Sequence, residues 1–167
     1  TAAVRILTVC LGNICRSPTA EAALVEAAAA AGVAVEVRSA GTGDWHVGHP
    51  PDPRMRAAAD RVGLRLDGVA ETVTAEALAA ADLVLAMDRT NLADLRRLAD
   101  AAGVTTRIEL FRTFDPEPDA VRGAAADEVP DPYYGDADGF AEVVGMCRRT
   151  AGAVVAAIAD GTLGAGR

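Results

Sequence analysis

The sequence predicts an α/β fold, a parallel sheet covered by helices, on three observations. Strand-like and helix-like segments alternate along the chain with short breaks, the order that yields parallel strands joined by crossover helices. No repeat or linker divides the 167 residues, so one domain over 1–167 is expected. The first apolar run, at 4–9, meets Cys10, passes through Gly12 and Asn13, and restarts as a helix at Ser17 and Pro18. That puts a loop at a strand's C-terminal end, where folds of this class bind ligands.

Each element has its own signal. Residues 4–9 are a short apolar run and read as a buried strand. Residues 18–31 are alanine-rich, with Leu24 and Val25 on one side and Pro18 near the first turn, and Gly32 ends this helix. Residues 33–38 alternate apolar and polar, which predicts a second strand near a sheet edge. Glycines and prolines make 39–51 a loop. Helices are expected at 53–62 and 74–80, then a compact apolar strand at 82–87. A helix at 91–102 and a fourth strand at 106–111 follow. The Pro- and Asp-rich stretch 115–132 reads as a long surface loop, often functional in a compact domain. A final helix is expected at 137–159, and Phe111 and Phe140 are assigned to the core.

Composition narrows the function classes. Sixteen basic against 24 acidic residues give a net charge of −8, which argues against binding nucleic acid or an anionic membrane. No apolar run reaches the length of a spanning helix, and the first residues lack a basic-then-apolar export pattern. Three cysteines, Cys10, Cys15 and Cys147, do not make a secreted disulfide framework, and no Cys/His cluster has zinc spacing. A cytoplasmic protein with no metal and no cofactor is expected. The alanine-rich, lysine-free composition points to a GC-rich bacterial source.

The loop after the first strand carries the chemistry. Residues 9–18 read VCLGNICRSP. Backbone N–H groups between a strand end and a helix start converge on one point and make an anion site. Cys10 opens this loop and Arg16 closes it. Arginine offers a planar fork matching two phosphate oxygens, and a thiolate is a strong nucleophile that needs positive surroundings. A phosphate or other oxyanion is the ligand this combination takes, cradled by Leu11, Gly12, Asn13, Ile14, Cys15, Arg16 and Ser17. The rival reading is a helix-capping loop with two structural cysteines. The strand before it, the Gly-Asn within it and the helix start after it weigh against that.

The pattern Cys-x5-Arg-Ser at the chain's start resembles the low-molecular-weight protein tyrosine phosphatase family. The resemblance implies a four-stranded parallel sheet with helices on both faces and a phosphate-binding loop after the first strand. It implies hydrolysis of tyrosine-phosphorylated proteins through a phosphocysteine at Cys10. Asp131, in the run DPYYGD at 131–136, matches the family's general-acid loop. A position before proline is locally stiff, and flanking rings that exclude water would favour a proton donor. Asp127 and Asp136 are read as solvated turn residues. The only Trp and both Tyr fall in two loops, Trp45 in one and Tyr133 and Tyr134 in the other. All three are expected to wall the site for a flat phenyl phosphate, although a loop tryptophan also serves as a loop anchor. His46 and His49 are discounted, since the family chemistry needs no histidine base.

By the same resemblance Asn13 holds the loop's unusual backbone and Ser17 donates to the Cys10 sulfur. Cys15 is the redox partner of Cys10 in a reversible disulfide; the blander reading is that Cys15 fills space behind the loop. The chain also departs from the family. Many members carry a histidine that braces the loop asparagine, and the matching stretch, 66–71, has none.

Three alternatives stand beside the tyrosine phosphatase. Arsenate reductases share the fold and loop but use two further cysteines after the second helix, and 63–105 contains none. Related protein-arginine phosphatases carry a small threonine where this chain has the bulkier Ile14. A non-catalytic phosphotyrosine-binding module would lack the nucleophile or the acid, and both are present.

Overall fold

A computed structural model describes residues 2–118 and 125–163. Four strands, β1 (Val4–Cys10), β2 (Val35–Gly41), β3 (Leu83–Ala86) and β4 (Arg107–Leu110), form an all-parallel sheet in the order β2-β1-β3-β4. The helices are α1 (Arg16–Ala31), α2 (Pro53–Asp60), α3 (Ala75–Ala80), α4 (Arg89–Ala102) and α5 (Ala137–Ala159), and a 3-10 turn occupies Phe111–Phe114. The predicted class holds, and the alternating strand lies at an edge as expected. Part of the expected 115–132 loop, residues 119–124, lies outside the described residues.

Strand β1 is apolar on both faces because both are covered. Val4, Ile6 and Cys10 join a core with α1, α2 and α5, centred on Leu24, Met55, Phe140 and Val154. Leu7 and Val9 join a second core with Leu78 of α3 and Leu95 of α4. The period of two along the strand thus points Cys10 toward α1. Phe111 and Phe140 are buried, as assigned.

Several boundaries move for reasons that bear on the site. Helix α1 begins at Arg16, so Pro18 is its third residue, where its missing N–H costs little. Gly32 closes α1 in the left-handed conformation, with φ 67°. Strand β2 runs on through Ser39, Ala40 and Gly41, which read as loop from composition. These residues pair with Thr8, Val9 and Cys10, and the ladder overrides weak strand propensity. Gly41 is required there. A Cβ would stand 2.7 Å from the Leu11 carbonyl oxygen and 3.1 Å from Asn13 Cβ.

The expected surface loop at 115–132 starts with a buried charge. Asp115 accepts from Arg112 Nε at 2.8 Å and from Arg149 Nε and Nη2 at 2.7 and 2.9 Å. Burial alone would raise the Asp115 carboxyl, but the hydrogen bonds from Arg149 and Arg112 more than offset this and hold it at about 2.

Candidate active site

The loop from Cys10 to Arg16 folds around its own sulfur. Asn13 adopts the left-handed conformation, φ 57°, the only non-glycine among the described residues to do so. Asparagine tolerates that region better than most residues. The turn brings the Asn13 N–H to 3.2 Å from Cys10 Sγ. Ser17 Oγ lies 3.0 Å from the same sulfur. It accepts from Asn13 Nδ2 at 2.9 Å, which leaves its hydrogen for the sulfur or for the Ala40 carbonyl at 3.4 Å.

The brace on Asn13 is now visible without the histidine. Its Oδ1 accepts from the Glu71 backbone N–H at 2.9 Å, and its Nδ2 also donates to Ser39 Oγ at 3.0 Å. Ser39 in turn donates to Glu21 Oε1 at 2.9 Å. Burial, with Glu71 and Asp67 nearby, raises the Glu21 carboxyl, although the Ser39 hydrogen bond pulls the other way. The loop backbone is also tied to the strand end, Thr42 and Gly43 donating to the Cys10 and Leu11 carbonyls at 2.9 Å each.

Cys15, the residue before α1, caps the helix with no side-chain hydrogen bond, which leaves its first amides for an anion. Arg16 is buried on this helix. Its Nη1 donates to Asp88 Oδ2 at 2.6 Å and to the Val129 carbonyl at 3.2 Å, and Nη2 lies 3.7 Å from Asp131 Oδ2. Burial lowers an arginine, but Cys10, Asp88 and Asp131 together raise this guanidinium above its ordinary value. The other two thiols behave differently. Burial, with Asp52 and Cys10 adding to it, pushes the Cys15 thiol far up, and burial takes Cys147 to about 12. All three cysteines are buried and free.

Above the loop is a cavity of about 360 Å³ lined by Cys10, Leu11, Gly12, Ile14, Cys15, Arg16, Trp45, His46, Asp131, Tyr133 and Tyr134. Cys10, Arg16, Asp131 and the three loop aromatics therefore meet in one place, while Asn13 and Ser17 lie behind the sulfur rather than on the cavity wall. Tyr133 packs against the core and stacks under the Arg54 guanidinium, 5.1 Å from its ring centre. Tyr134 meets Tyr133 edge-on at 4.9 Å and is 94% exposed. Trp45 lines the cavity yet folds back over its own loop, where a Cβ on Gly43 would overlap its ring.

Three expectations need correction. Asp131 accepts from the Tyr133 N–H at 3.1 Å, but its carboxylate is 44% exposed, so the flanking rings do not seal it from water. Asp127 and Asp136 are not merely solvated. Asp127 pairs with Arg89 at 2.7 Å, and Asp136 caps α5 by accepting from the Gly139 N–H at 3.1 Å. His46 is more than a plain loop residue, because it lines the cavity with its ring against Gly12, where a Cβ would come within 3.0 Å of it. Its place beside Trp45 in one loop was the available signal.

Among the described residues no group of three or more His, Cys, Asp or Glu side chains is arranged to hold a metal ion. No helix among them is long and apolar enough to cross a membrane.

A family model described as low molecular weight phosphotyrosine protein phosphatase matches residues 5–162. The chain belongs to that family. This phosphatase is 42% identical over 158 residues to a low molecular weight protein-tyrosine-phosphatase of Streptomyces coelicolor, spanning 93% of this chain and 94% of that protein. It is 36% identical over 147 residues to the human low molecular weight phosphotyrosine protein phosphatase, spanning 86% and 89%. Its fold is similar to a protein tyrosine phosphatase from Entamoeba histolytica with Hepes in the active site, with a TM-score of 0.84 and 29% identity, covering 96% of this chain and all of that one.

Proposed function

We propose that Cys10, Arg16 and Asp131 carry a two-step hydrolysis of phosphotyrosine within a single phosphatase domain. The observation that supports this most is that Asp131, from a distant loop, meets Cys10 and Arg16 of the phosphate loop on one cavity. In the first step the Cys10 thiolate attacks phosphorus and forms an S–P bond. The P–O bond to tyrosine breaks, and Asp131 gives its proton to the departing phenolate oxygen. In the second step a water oxygen attacks phosphorus while Asp131 takes its proton. The S–P bond breaks, inorganic phosphate leaves and the thiolate is restored.

Arg16 and the loop amides from Leu11 to Ser17 hold the equatorial oxygens, and preorganised positive charge of this kind dominates phosphoryl transfer. The Asp88 and Val129 contacts support that role for Arg16 because both hold Nη1, fixing one arm of the guanidinium before substrate arrives. Ile14, Trp45, Tyr133 and Tyr134 supply apolar wall for a phenyl ring, which favours phosphotyrosine over phosphoserine and phosphoarginine. Phosphate and related oxyanions are expected to compete for the loop. Cys15 is the proposed redox partner of Cys10. Three free, buried cysteines support a reducing, cytoplasmic location, and the Streptomyces relative supports a bacterial source.

Hydrolysis of phosphotyrosine, phosphoserine and phosphoarginine peptides, side by side with a metal chelator present, tests the reading. Phosphate release from phosphotyrosine alone is expected. Preference for phosphoarginine would transfer the enzyme to the arginine-directed branch.

A further inference from the structure

The general-acid loop has to present Asp131 to a leaving oxygen, and nothing in the mechanism above says what holds it there. Asp131 itself accepts from the N–H of Tyr133, its near neighbour, and meets Arg16 only at 3.7 Å. The two residues at 128 and 129 are held far more firmly. The Val129 N–H donates to the Met87 carbonyl at 2.8 Å and its carbonyl accepts from Arg16. Glu128 Oε2 accepts from the Arg89 N–H, at the start of α4, at 2.7 Å. The Glu128 carbonyl accepts from Arg112 Nη1 at 3.1 Å.

Arg112 is unusual among these anchors. It is 1% exposed, the largest fully buried side chain among the described residues, and it carries a charge. A buried guanidinium is costly unless paired and hydrogen-bonded. Here Asp115 supplies the counter-charge at 2.8 Å, and Arg149 from α5 fixes Asp115 from the other side. Arg112 Nη2 also reaches the Glu117 carbonyl at 3.5 Å. One planar cation therefore joins residue 117, residue 128 and the Asp115 carboxylate. A fork of donors suits three acceptors at fixed angles; a point charge does not.

We infer that Arg112 is a positioning residue for the general acid. Its guanidinium fixes the chain at Glu128, three residues before Asp131, and through it the height of the Asp131 carboxylate over the phosphate loop. Removing it leaves the thiol and the loop amides in place, and Arg16 held by Asp88, but lets the acid drift from the leaving oxygen. The inference rests on the reading of Asp131 as the acid.

The test compares kcat/KM for phosphotyrosine with that for 2,4-dinitrophenyl phosphate, whose leaving group needs little protonation. Arg112→Met is expected to lower the phosphotyrosine value roughly tenfold, part of what a positioned acid contributes, and to leave the dinitrophenyl value within about twofold, as a structural role alone would not. In an Asp131→Asn background Arg112→Met should cost almost nothing further on phosphotyrosine, because the group it positions has gone. Should the methionine variant fail to fold, Arg112→Lys keeps a charge beside Asp115 without the fork and carries the same expectation. Equal losses on both substrates, no loss on either, or full additivity with Asp131→Asn would overturn the inference. If Asp131→Asn itself shows no dependence on the leaving group, the assignment of the acid fails first, and the two failures are thereby told apart.

Discussion

Arg16 and Asp88 share a charge-assisted hydrogen bond of 2.6 Å, and the other oxygen of Asp88 caps α4 by accepting from the Asn91 N–H at 2.8 Å. One carboxylate thus ties the phosphate loop to a helix on the opposite face of the sheet. Arg16 is preoriented by this contact, with part of its fork left to face the cavity. Arg16→Lys should therefore lower kcat/KM for phosphotyrosine by at least about 100-fold, since a point charge cannot reproduce the fork. Steady-state kinetics on the purified variant check this; near-normal activity would return Arg16 to a structural role.

Trp45 is the wall residue whose role is most separable. Trp45→Ala should weaken binding of aryl phosphates severalfold, seen in KM, with little effect on small alkyl phosphates. An unchanged aryl preference would make the indole only an anchor for its own loop, packed over Gly43.

How much of this was legible in the sequence depends on where the information sits. The residues of the phosphate loop are contiguous from 10 to 17, so their chemistry could be read directly. Asp131 was identifiable because its neighbours match a known loop. The brace on Asn13 was not, because its key donor is the backbone N–H of Glu71, 58 positions away, and a backbone amide leaves no letter in the sequence. Asp115, in the Pro- and Asp-rich stretch read as surface loop, is instead buried, because its partners Arg112 and Arg149 come from other elements and composition does not carry that pairing. Residues 39–41 were read as loop because their pairing with β1 is a tertiary fact that composition does not carry.

The buried Asp115 makes stability depend on acid. Its folded-state value, about 2, lies below the ordinary 3.8. The stabilisation is therefore complete above the ordinary value and is lost as pH falls through the folded one. About 2 kcal/mol should disappear between pH ~4 and ~2. Urea melts across that range should show the decline, and Asp115→Asn should flatten it while lowering stability at neutral pH by roughly 3–5 kcal/mol. An unchanged acid slope in the variant would remove Asp115 as its source.

Oxidation offers a test of Cys15. Peroxide converts the Cys10 thiolate to a sulfenic acid; attack by the Cys15 sulfur expels water and leaves a disulfide that a dithiol reduces. Because the Cys15 thiol lies far above its ordinary value, closure should quicken as pH rises. Wild-type activity should return after dithiol treatment, while Cys15→Ser should recover poorly. Full recovery in that variant, or a Cys10–Cys147 link in the mass spectrum, would sink the proposed pairing.

The central claim is that phosphorus passes through the Cys10 sulfur, and rapid acid quench during turnover tests it most directly. Asp131→Asn with 2,4-dinitrophenyl phosphate is the pair to use, since that leaving group needs little protonation and loss of the base slows hydrolysis of the intermediate. Peptide mass spectrometry of the quenched sample should find a phosphoryl group on Cys10, absent from the Cys10→Ser protein treated in parallel. Phosphate on another residue, or turnover with no covalent phosphoenzyme and an active Cys10→Ser variant, would contradict the account.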